Sequence, residues 1–276
     1  MFTLNCKGRI LVVDKPLVMG IINVTPDSFY GASRHQVTDD ILLQTEQMLK
    51  DGATILDIGG QSTRPGSEKV SEEEELKRVI TPVEAIHKNF PEAFISIDTY
   101  YAKVATEAVA AGACIVNDIS AGNIDEKMIA AVALLQVPYV LMHMPGTPQT
   151  MHQQSQYENV TKEVLDFFIR RKDELHRAGI HDIIIDCGFG FGKTAAYNFE
   201  LLKNLSVFKM LNAPILLGIS RKSFIYKTLG VTVEEALNGT TTLNTIGLMN
   251  GAGILRVHDV KEAVQAINLF NNYRQL

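Results

Sequence analysis

Cysteine is scarce in this chain of 276 residues, and its scarcity excludes two kinds of covalent or metal cross-link. Cys6, Cys114 and Cys187 are too few and too scattered for a disulfide framework or a zinc knuckle. Cys114 and Cys187 lie in apolar runs, which predicts small buried side chains. Free thiols of this kind fit a reducing cytoplasm, and we expect the protein to be cytoplasmic.

Long apolar runs and an excess of positive charge are also missing. No run reaches the roughly 20 residues of a membrane span, and the N-terminus MFTLNCKGRI lacks the apolar core of a secretory signal. The formal net charge of −5 argues against a general nucleic-acid binder. We therefore expect neither a membrane nor a nucleic acid as partner, whereas local basic sites for a small anion are compatible with this charge.

The sequence does contain eight short apolar runs that alternate with helical patterns. Continuous apolar runs are typical of parallel strands that are covered on both faces. Eight β/α units in series predict an α/β fold of the (β/α)8 TIM-barrel type, with one domain over residues 1–276; a doubly wound open sheet is the structural alternative. The predicted strands are VMGIINVT (18–25), TILDIGG (54–60), FISIDT (94–99), CIVNDIS (114–120), PYVLMHM (138–144), IIIDCG (183–188), PILLGIS (214–220) and ILRVH (254–258).

Residues 1–14 precede the first unit and are predicted to form a short β-hairpin. The turn is expected at Lys7-Gly8, and the hairpin would form a lid over the bottom of the barrel. Further along, Ser71 and Glu74 have the spacing of a capping box at the start of a helix.

The stretch DCGFGFGKT (186–194) has the composition of a phosphate-binding loop but not its spacing. A P-loop needs a glycine five residues before the glycine that precedes lysine, and that position is Cys187. We therefore assign Asp186 at the strand end as the functional residue of this stretch. Lys193 is expected to be a loop or rim charge.

Polar residues follow nearly every predicted strand, at the end of the barrel where TIM-barrel chemistry takes place. Asp98, Asn117 and Asp186 suit the donor edge of a flat heterocycle, because carboxylates accept paired hydrogen bonds from an amino group and a ring N–H. Some of these side chains could instead be helix caps or solvated charges. A second set suits an anion such as diphosphate: Asn23, Arg64, Lys222, Arg256 and His258.

Metal binding is predicted only for a hard cation. The sequence has no H-x-x-x-H or HExxH spacing, so His143 and His258 are weak candidates for a transition-metal site. Mg²⁺ that bridges diphosphate oxygens keeps several waters and needs one protein oxygen, which Asn23 could supply.

Seven motifs, in order and each at a strand end, together resemble the dihydropteroate synthase family over about residues 18–265. They are NVTPDSF (23–29), GGQSTRPG (59–66), SIDT (96–99), VNDIS (116–120), DCGFGFGKT (186–194), GISRKSF (218–224) and RVHDV (256–260). The resemblance implies a transferase of folate synthesis that joins (7,8-dihydropterin-6-yl)methyl diphosphate to 4-aminobenzoate, giving 7,8-dihydropteroate and diphosphate. It also implies Mg²⁺ as cofactor, a homodimer and inhibition by sulfonamides.

The resemblance carries over to named residues of this sequence. It implies catalytic roles for Asp27, Ser62, Thr63, Arg64 and Lys222. It implies a pterin-diphosphate site made of Thr63, Asp98, Asn117, Asp186, Lys222, Arg256, Val257 and His258. It implies a 4-aminobenzoate site made of Thr63, Arg64, Pro65, Phe191, Lys222 and Ser223, with Asn23 at the metal.

Two positions depart from the family pattern, and alternatives of three classes stay open. The family often has Glu where Gln61 stands and Pro where Cys187 stands, and neither change removes a contact group. A methyltetrahydrofolate–corrinoid methyltransferase would share the pterin contacts but would need neither the STRPG loop nor a diphosphate cluster. A sugar-phosphate enzyme would leave Asp98, Asn117 and Asp186 unexplained. A pterin-binding protein without catalysis would have no use for the basic pair at strands seven and eight.

Overall fold

The structure, a computed structural model, describes residues 1–24, 34–61, 69–151 and 156–274. A hairpin of β1 (Phe2–Cys6) and β2 (Arg9–Val13) comes first. The strands that follow are β3 (Leu17–Asn23), β4 (Ile55–Gly59), β5 (Phe94–Asp98), β6 (Ile115–Asp118), β7 (Tyr139–Met142), β8 (Ile183–Asp186), β9 (Ile215–Leu217) and β10 (Ile254–Val257). The helices are α1 (Arg34–Lys50), α2 (Glu72–Asn89), α3 (Ala102–Ala111), α4 (Met128–Leu135), α5 (Val160–Arg177), α6 (Ala195–Lys203), α7 (Ser223–Leu229), α8 (Leu237–Met249) and α9 (Val260–Arg274).

Strands β3 to β10 form a closed barrel in which every pair is parallel. The last strand closes the ring, since Ile254 of β10 pairs with Leu17 of β3 on one side and with Leu216 of β9 on the other. The (β/α)8 prediction is therefore confirmed, and the open-sheet alternative is wrong. Seven of the eight predicted runs contain one of these strands completely, and the first run begins one residue after the start of β3.

The N-terminal hairpin closes the bottom of the barrel, as predicted. Its turn places Lys7 at φ 55° and Gly8 at φ 85°, the left-handed conformation that two-residue hairpin turns require. Leu4 and Leu11 are buried, whereas Ile10 and Val12 on the other face of the hairpin are exposed. The buried face joins one apolar cluster with the lowest inward residues of the barrel strands, among them Met19, Ile55, Ile115, Val140, Ile184, Leu216 and Ile254.

Strand periodicity then determines what lies above this apolar floor. Successive side chains of a strand point to opposite faces, so the residue two positions after each floor residue also points into the barrel. From Ile55, Ile115, Ile184 and Ile254, this step leads to Asp57, Asn117, Asp186 and Arg256. The middle of the barrel is therefore polar, and the fold places these side chains above a dry floor.

The alternate strand positions point outward and build the larger core between barrel and helices. Leu56, Val116, Ile185 and Leu255 all belong to that core. At the start of α2, the backbone N–H of Glu74 donates to Ser71 Oγ at 3.3 Å, which confirms the predicted N-cap. In the described part of the chain, no helix is long and apolar enough to cross a membrane.

We expect Leu11→Ala to lower the free energy of unfolding by about 2–4 kcal/mol, because it leaves a cavity between hairpin and barrel floor. Val12→Ala is the matched control, since Val12 is the next residue of the same strand and is 41% exposed. Its effect should stay below about 1 kcal/mol. Urea denaturation followed by circular dichroism measures both, and equal small losses would contradict the lid.

Candidate active site

Asp57 of β4 is the centre of a polar network inside the barrel. Its side chain is fully buried, and Oδ2 accepts hydrogen bonds from Arg256 Nε at 2.6 Å and from Asn117 Nδ2 at 3.0 Å. Arg256 also donates from Nη2 to Asp98 Oδ2 at 2.5 Å. Four strands thus contribute to one network. Sequence analysis assigned Asp98 and Arg256 to separate chemical sets, and the structure brings the two sets together.

Asp57 is a residue that the sequence analysis missed, although a signal for it existed. A carboxylate in the middle of the apolar run TILDIGG cannot remain buried without partners. Its position two residues after Ile55 also gives it the inward direction of the strand. A search for charged residues within the strands, as well as at their ends, would have found it.

Asn117 is oriented by this network. Because its amide nitrogen donates to Asp57, its amide oxygen Oδ1 is directed to accept a hydrogen bond from a ligand. Asn117 is 4% exposed. This arrangement favours a ligand that presents a donor to Asn117.

Asp98 and Asp186 are further acceptors of the same kind. Burial raises the pKa of Asp98 to about 7, against the opposing effect of the Arg256 charge. Burial also raises the pKa of Asp186, which is opposed by Lys222 and by the Gly188 N–H that donates to Asp186 Oδ1 at 2.8 Å. The two carboxylates therefore titrate above the usual range of aspartate.

Lys222 and Phe191 are also brought together, as predicted from the resemblance. The Lys222 ammonium lies 4.5 Å from the centre of the Phe191 ring and donates to the carbonyl of Phe189. Burial lowers the pKa of Lys222 to about 8, although the Asp186 carboxylate opposes the shift. Ser223 is the first residue of α7 and is exposed. This corner offers an aromatic wall and one cation.

The rim of the barrel carries the remaining predicted residues. Ser220 Oγ lies 3.0 Å from His258 Nδ1 and accepts from the His258 backbone N–H at 3.2 Å. Asn23 is exposed at the end of β3, which neighbours the strand that leads to His258. The Val257 side chain points outward into the large core, so it contributes backbone alone to this rim.

Lys193 lies in a different place from the one predicted. It is only 6% exposed, and its ammonium donates to two backbone carbonyls of the loop from β8 to α6 and to one carbonyl after β7. The expectation of a loop or rim charge is therefore corrected to a buried cation within the loop. Its position was hidden from sequence analysis because the carbonyls that surround it include that of His143, on another strand end.

Five predicted site residues, namely Asp27, Ser62, Thr63, Arg64 and Pro65, lie outside the described residues. Gln61, which precedes four of them, donates from Nε2 to Glu75 Oε2 at 2.5 Å and accepts from the Tyr100 hydroxyl at 2.7 Å. Burial raises the pKa of Glu75 to about 7, and the bond from Gln61 opposes that shift.

Of the two weak histidine candidates for a transition metal, His258 lies beside the Ser220 hydroxyl and His143 lies among aromatic rings. His143 packs edge-on against Phe167, with ring centres 4.9 Å apart, and burial keeps its pKa well below the usual value. The described residues contain no group of three or more His, Cys, Asp or Glu side chains that could hold a metal ion.

We expect Asp57→Ala to lower the free energy of unfolding by about 3 kcal/mol, because Arg256 and Asn117 would lose their shared buried acceptor. Asp51→Ala, directly after α1, is the control, because the only hydrogen bond that its carboxylate accepts from the described residues is an exposed one from Gln47. Arg256→Met should cost less in the Asp57→Ala background than in the unmodified protein. Additive losses in urea denaturation would show that the two side chains do not act together.

Comparison with known proteins agrees with this geometry. Residues 19–258 match the family of pterin binding enzymes. The chain is 44% identical to the dihydropteroate synthase of Escherichia coli K12 over 96% of this chain and 94% of that protein. It is 40% identical to Xanthomonas albilineans dihydropteroate synthase solved with 4-aminobenzoic acid, with a TM-score of 0.92 and coverage of 99% and 98%. It is likewise 40% identical to Yersinia pestis dihydropteroate synthase solved in a sulfonamide drug complex, with a TM-score of 0.93 over the full length of both chains. The chain belongs to the dihydropteroate synthase family of pterin-binding enzymes.

Proposed function

We propose that this chain joins (7,8-dihydropterin-6-yl)methyl diphosphate to 4-aminobenzoate and releases 7,8-dihydropteroate and diphosphate, as a transferase of tetrahydrofolate biosynthesis. The observation that carries the proposal is the buried network in which Asp57 holds Arg256 and Asn117 beside Asp98. A set of acceptors at the centre of a barrel fits the donor edge of a flat ring.

The pterin ring would be held by groups from three strands. Asp98, Asn117 Oδ1 and Asp186 are acceptors for the amino group and ring N–H groups, and Lys222 is a donor for a ring carbonyl. Asn117 and Asp186 are buried, and this makes their contacts specific, since a ring without matching donors would leave both acceptors unpaired.

The diphosphate would lie at the rim, near His258, Arg256 and Val257. In the reaction, the bond between the pterin methylene and the diphosphate oxygen breaks, and its electron pair leaves with the oxygen. The aniline nitrogen then forms the new bond to the methylene carbon and loses a proton. A neutral aniline needs little activation, so the main task of Arg256 and His258 is to stabilise the leaving anion.

Magnesium fits the rim as the cofactor. Asn23 offers an exposed amide oxygen there, the type of ligand that a hard cation prefers. Mg²⁺, when bound, would offset part of the negative charge that develops on the diphosphate.

The second substrate would lie against Phe191, Lys222 and Ser223. The loop residues Asp27, Ser62, Thr63, Arg64 and Pro65 are proposed to complete the site on the resemblance of their motifs. The solved relative from Xanthomonas binds 4-aminobenzoic acid and the one from Yersinia binds a sulfonamide. We extend both properties to this chain, so the 4-aminobenzoate site is proposed as a sulfonamide target.

A homodimer in the cytoplasm is part of the proposal. Exposed apolar side chains on three consecutive helices, α7 to α9, support self-association: Leu229, Ile246, Met249 and Leu269. Three free, buried cysteines fit a reducing compartment. Light scattering of the purified protein distinguishes the dimer from a monomer.

The direct test is an assay of purified protein with pterin diphosphate, 4-aminobenzoate and Mg²⁺. Diphosphate and dihydropteroate should appear in equal amounts, and omission of 4-aminobenzoate should prevent dihydropteroate formation. Failure to form dihydropteroate would reject the proposal. Methyl transfer from a methyltetrahydrofolate to a corrinoid protein would instead support the alternative function.

We expect the affinity for the pterin alcohol, which lacks diphosphate, to fall about tenfold from pH 8 to pH 6. The raised pKa of Asp98, about 7, means that its carboxylate is ionised above that pH and protonated below it. A protonated Asp98 accepts a ring N–H less well, so binding weakens as pH falls. Calorimetry measures the affinity, and Asp98→Asn is the control, in which the dependence should be much flatter. A flat profile in the unmodified protein would contradict the role of Asp98.

A further inference from the structure

The ammonium of Lys193 is a buried cation that the proposed reaction does not use. It donates to the carbonyl oxygens of Gly188 at 2.9 Å, Phe191 at 3.0 Å and His143 at 3.2 Å. An ammonium has three N–H donors, so these three acceptors satisfy all of them. Burial lowers the pKa of Lys193 to about 7, which shows that the charge is costly at this place. Because burial of the Lys193 ammonium is unfavourable, we looked for the contacts that this charge stabilises.

The loop around Lys193 is built so that carbonyls converge on this charge. Gly188, Gly190 and Gly192 have φ of 66°, 80° and 57°, a region that favours glycine. A Cβ added to Gly188 would lie 1.9 Å from the carbonyl oxygen of His143. The backbones of the two strand-end loops thus touch at this glycine. Their carbonyl dipoles point at one centre, and the ammonium offsets the repulsion between them.

The same loop contacts the side chain of Lys222. The carbonyl of Phe189 accepts a hydrogen bond from the Lys222 ammonium, and the ring of Phe191 lies beneath it at 4.5 Å. Lys193 therefore holds the loop from inside, and Lys222 contacts the same loop from the site. Phe191 carries both functions in one residue, since its carbonyl binds Lys193 and its ring faces Lys222.

The backbone of Asp186, in contrast, is held by strand pairing, and its side chain accepts from the Gly188 N–H at the start of the loop. Asp186 is the last residue of β8 and pairs with Met142 on one side and Leu216 on the other. The barrel ladder therefore keeps the Asp186 backbone in place when the loop beyond it is loosened, so the pterin side should lose less than the 4-aminobenzoate side.

We propose that Lys193 is a positioning residue that fixes the Phe191 ring on the 4-aminobenzoate side of the site. The inference rests on the proposed function. It assigns Lys193 no contact with either substrate. Its loss should impair binding of the second substrate more than binding of the pterin.

The experiment compares the unmodified protein with Lys193→Met and with Lys203→Met, an exposed lysine on the neighbouring helix α6. Steady-state kinetics should show KM for 4-aminobenzoate raised roughly tenfold or more in Lys193→Met. KM for pterin diphosphate should change less than about threefold, and Lys203→Met should resemble the unmodified protein. Equal changes in both KM values, or no change, would overturn the inference.

Two additional variants keep the result interpretable. If Lys193→Met does not fold, Lys193→Gln replaces it, because its amide keeps two donors, and the same split between the KM values must appear at smaller size. Adding Lys193→Met to Phe191→Ala should raise KM for 4-aminobenzoate less than it does alone; full additivity would refute action through Phe191. Absence of activity in the unmodified protein would reject the proposed function instead, so the two failures are distinguishable.

Discussion

The site depends on two ion pairs in the middle of the barrel, in which the Arg256 guanidinium contacts both Asp57 and Asp98. One cation between two carboxylates keeps the centre of the barrel from holding two unpaired negative charges. Removal of one partner of a buried pair leaves the other uncompensated, which costs more than the pair contributes. The network therefore connects the stability of the barrel with the arrangement of the groups that would bind substrate.

This polar centre is tolerated because the barrel is dry beneath it. The hairpin side chains Leu4 and Leu11 join the strand floor and close the bottom of the barrel against water. Low polarity strengthens each hydrogen bond above the floor and raises the cost of any unpaired group. The same condition explains the raised pKa values of Asp98 and Asp186, whose charged forms are poorly solvated.

Two kinds of support coexist at the top of the barrel. Asp98, Asn117 and Asp186 project from strands and inherit the rigidity of the ladder. Phe191 lies on a loop, where backbone carbonyls and a buried ammonium take the place of strand pairing. At the rim, Arg221 donates one hydrogen bond of 2.8 Å to each carboxylate oxygen of Asp259. This pair connects the segment after β9 with the segment after β10. The site thus combines rigid strand-end acceptors, which we propose for the pterin, with a loop surface proposed for the second substrate, whose position depends on hydrogen bonds from side chains.

The sequence by itself determined the features that arise from local periodicity. Continuous apolar runs gave the eight strands, and Lys7-Gly8 gave the hairpin turn, because backbone conformation and burial on both faces leave a direct trace in neighbouring residues. The gathering of Asp98, Asn117 and Asp186 followed from the barrel prediction, since parallel strands end at one rim.

Only the tertiary structure decided which polar groups pair with each other. Arg256 reaches Asp57 across 199 residues of sequence, and Lys193 reaches His143 across 50. The partners lie on, or in the loops after, different strands, so no spacing within the chain specifies the contact. Closure of the barrel brings these partners within hydrogen-bond distance. As a result, Asp57 lies at the centre of the buried network, and Lys193 is surrounded by three backbone carbonyls.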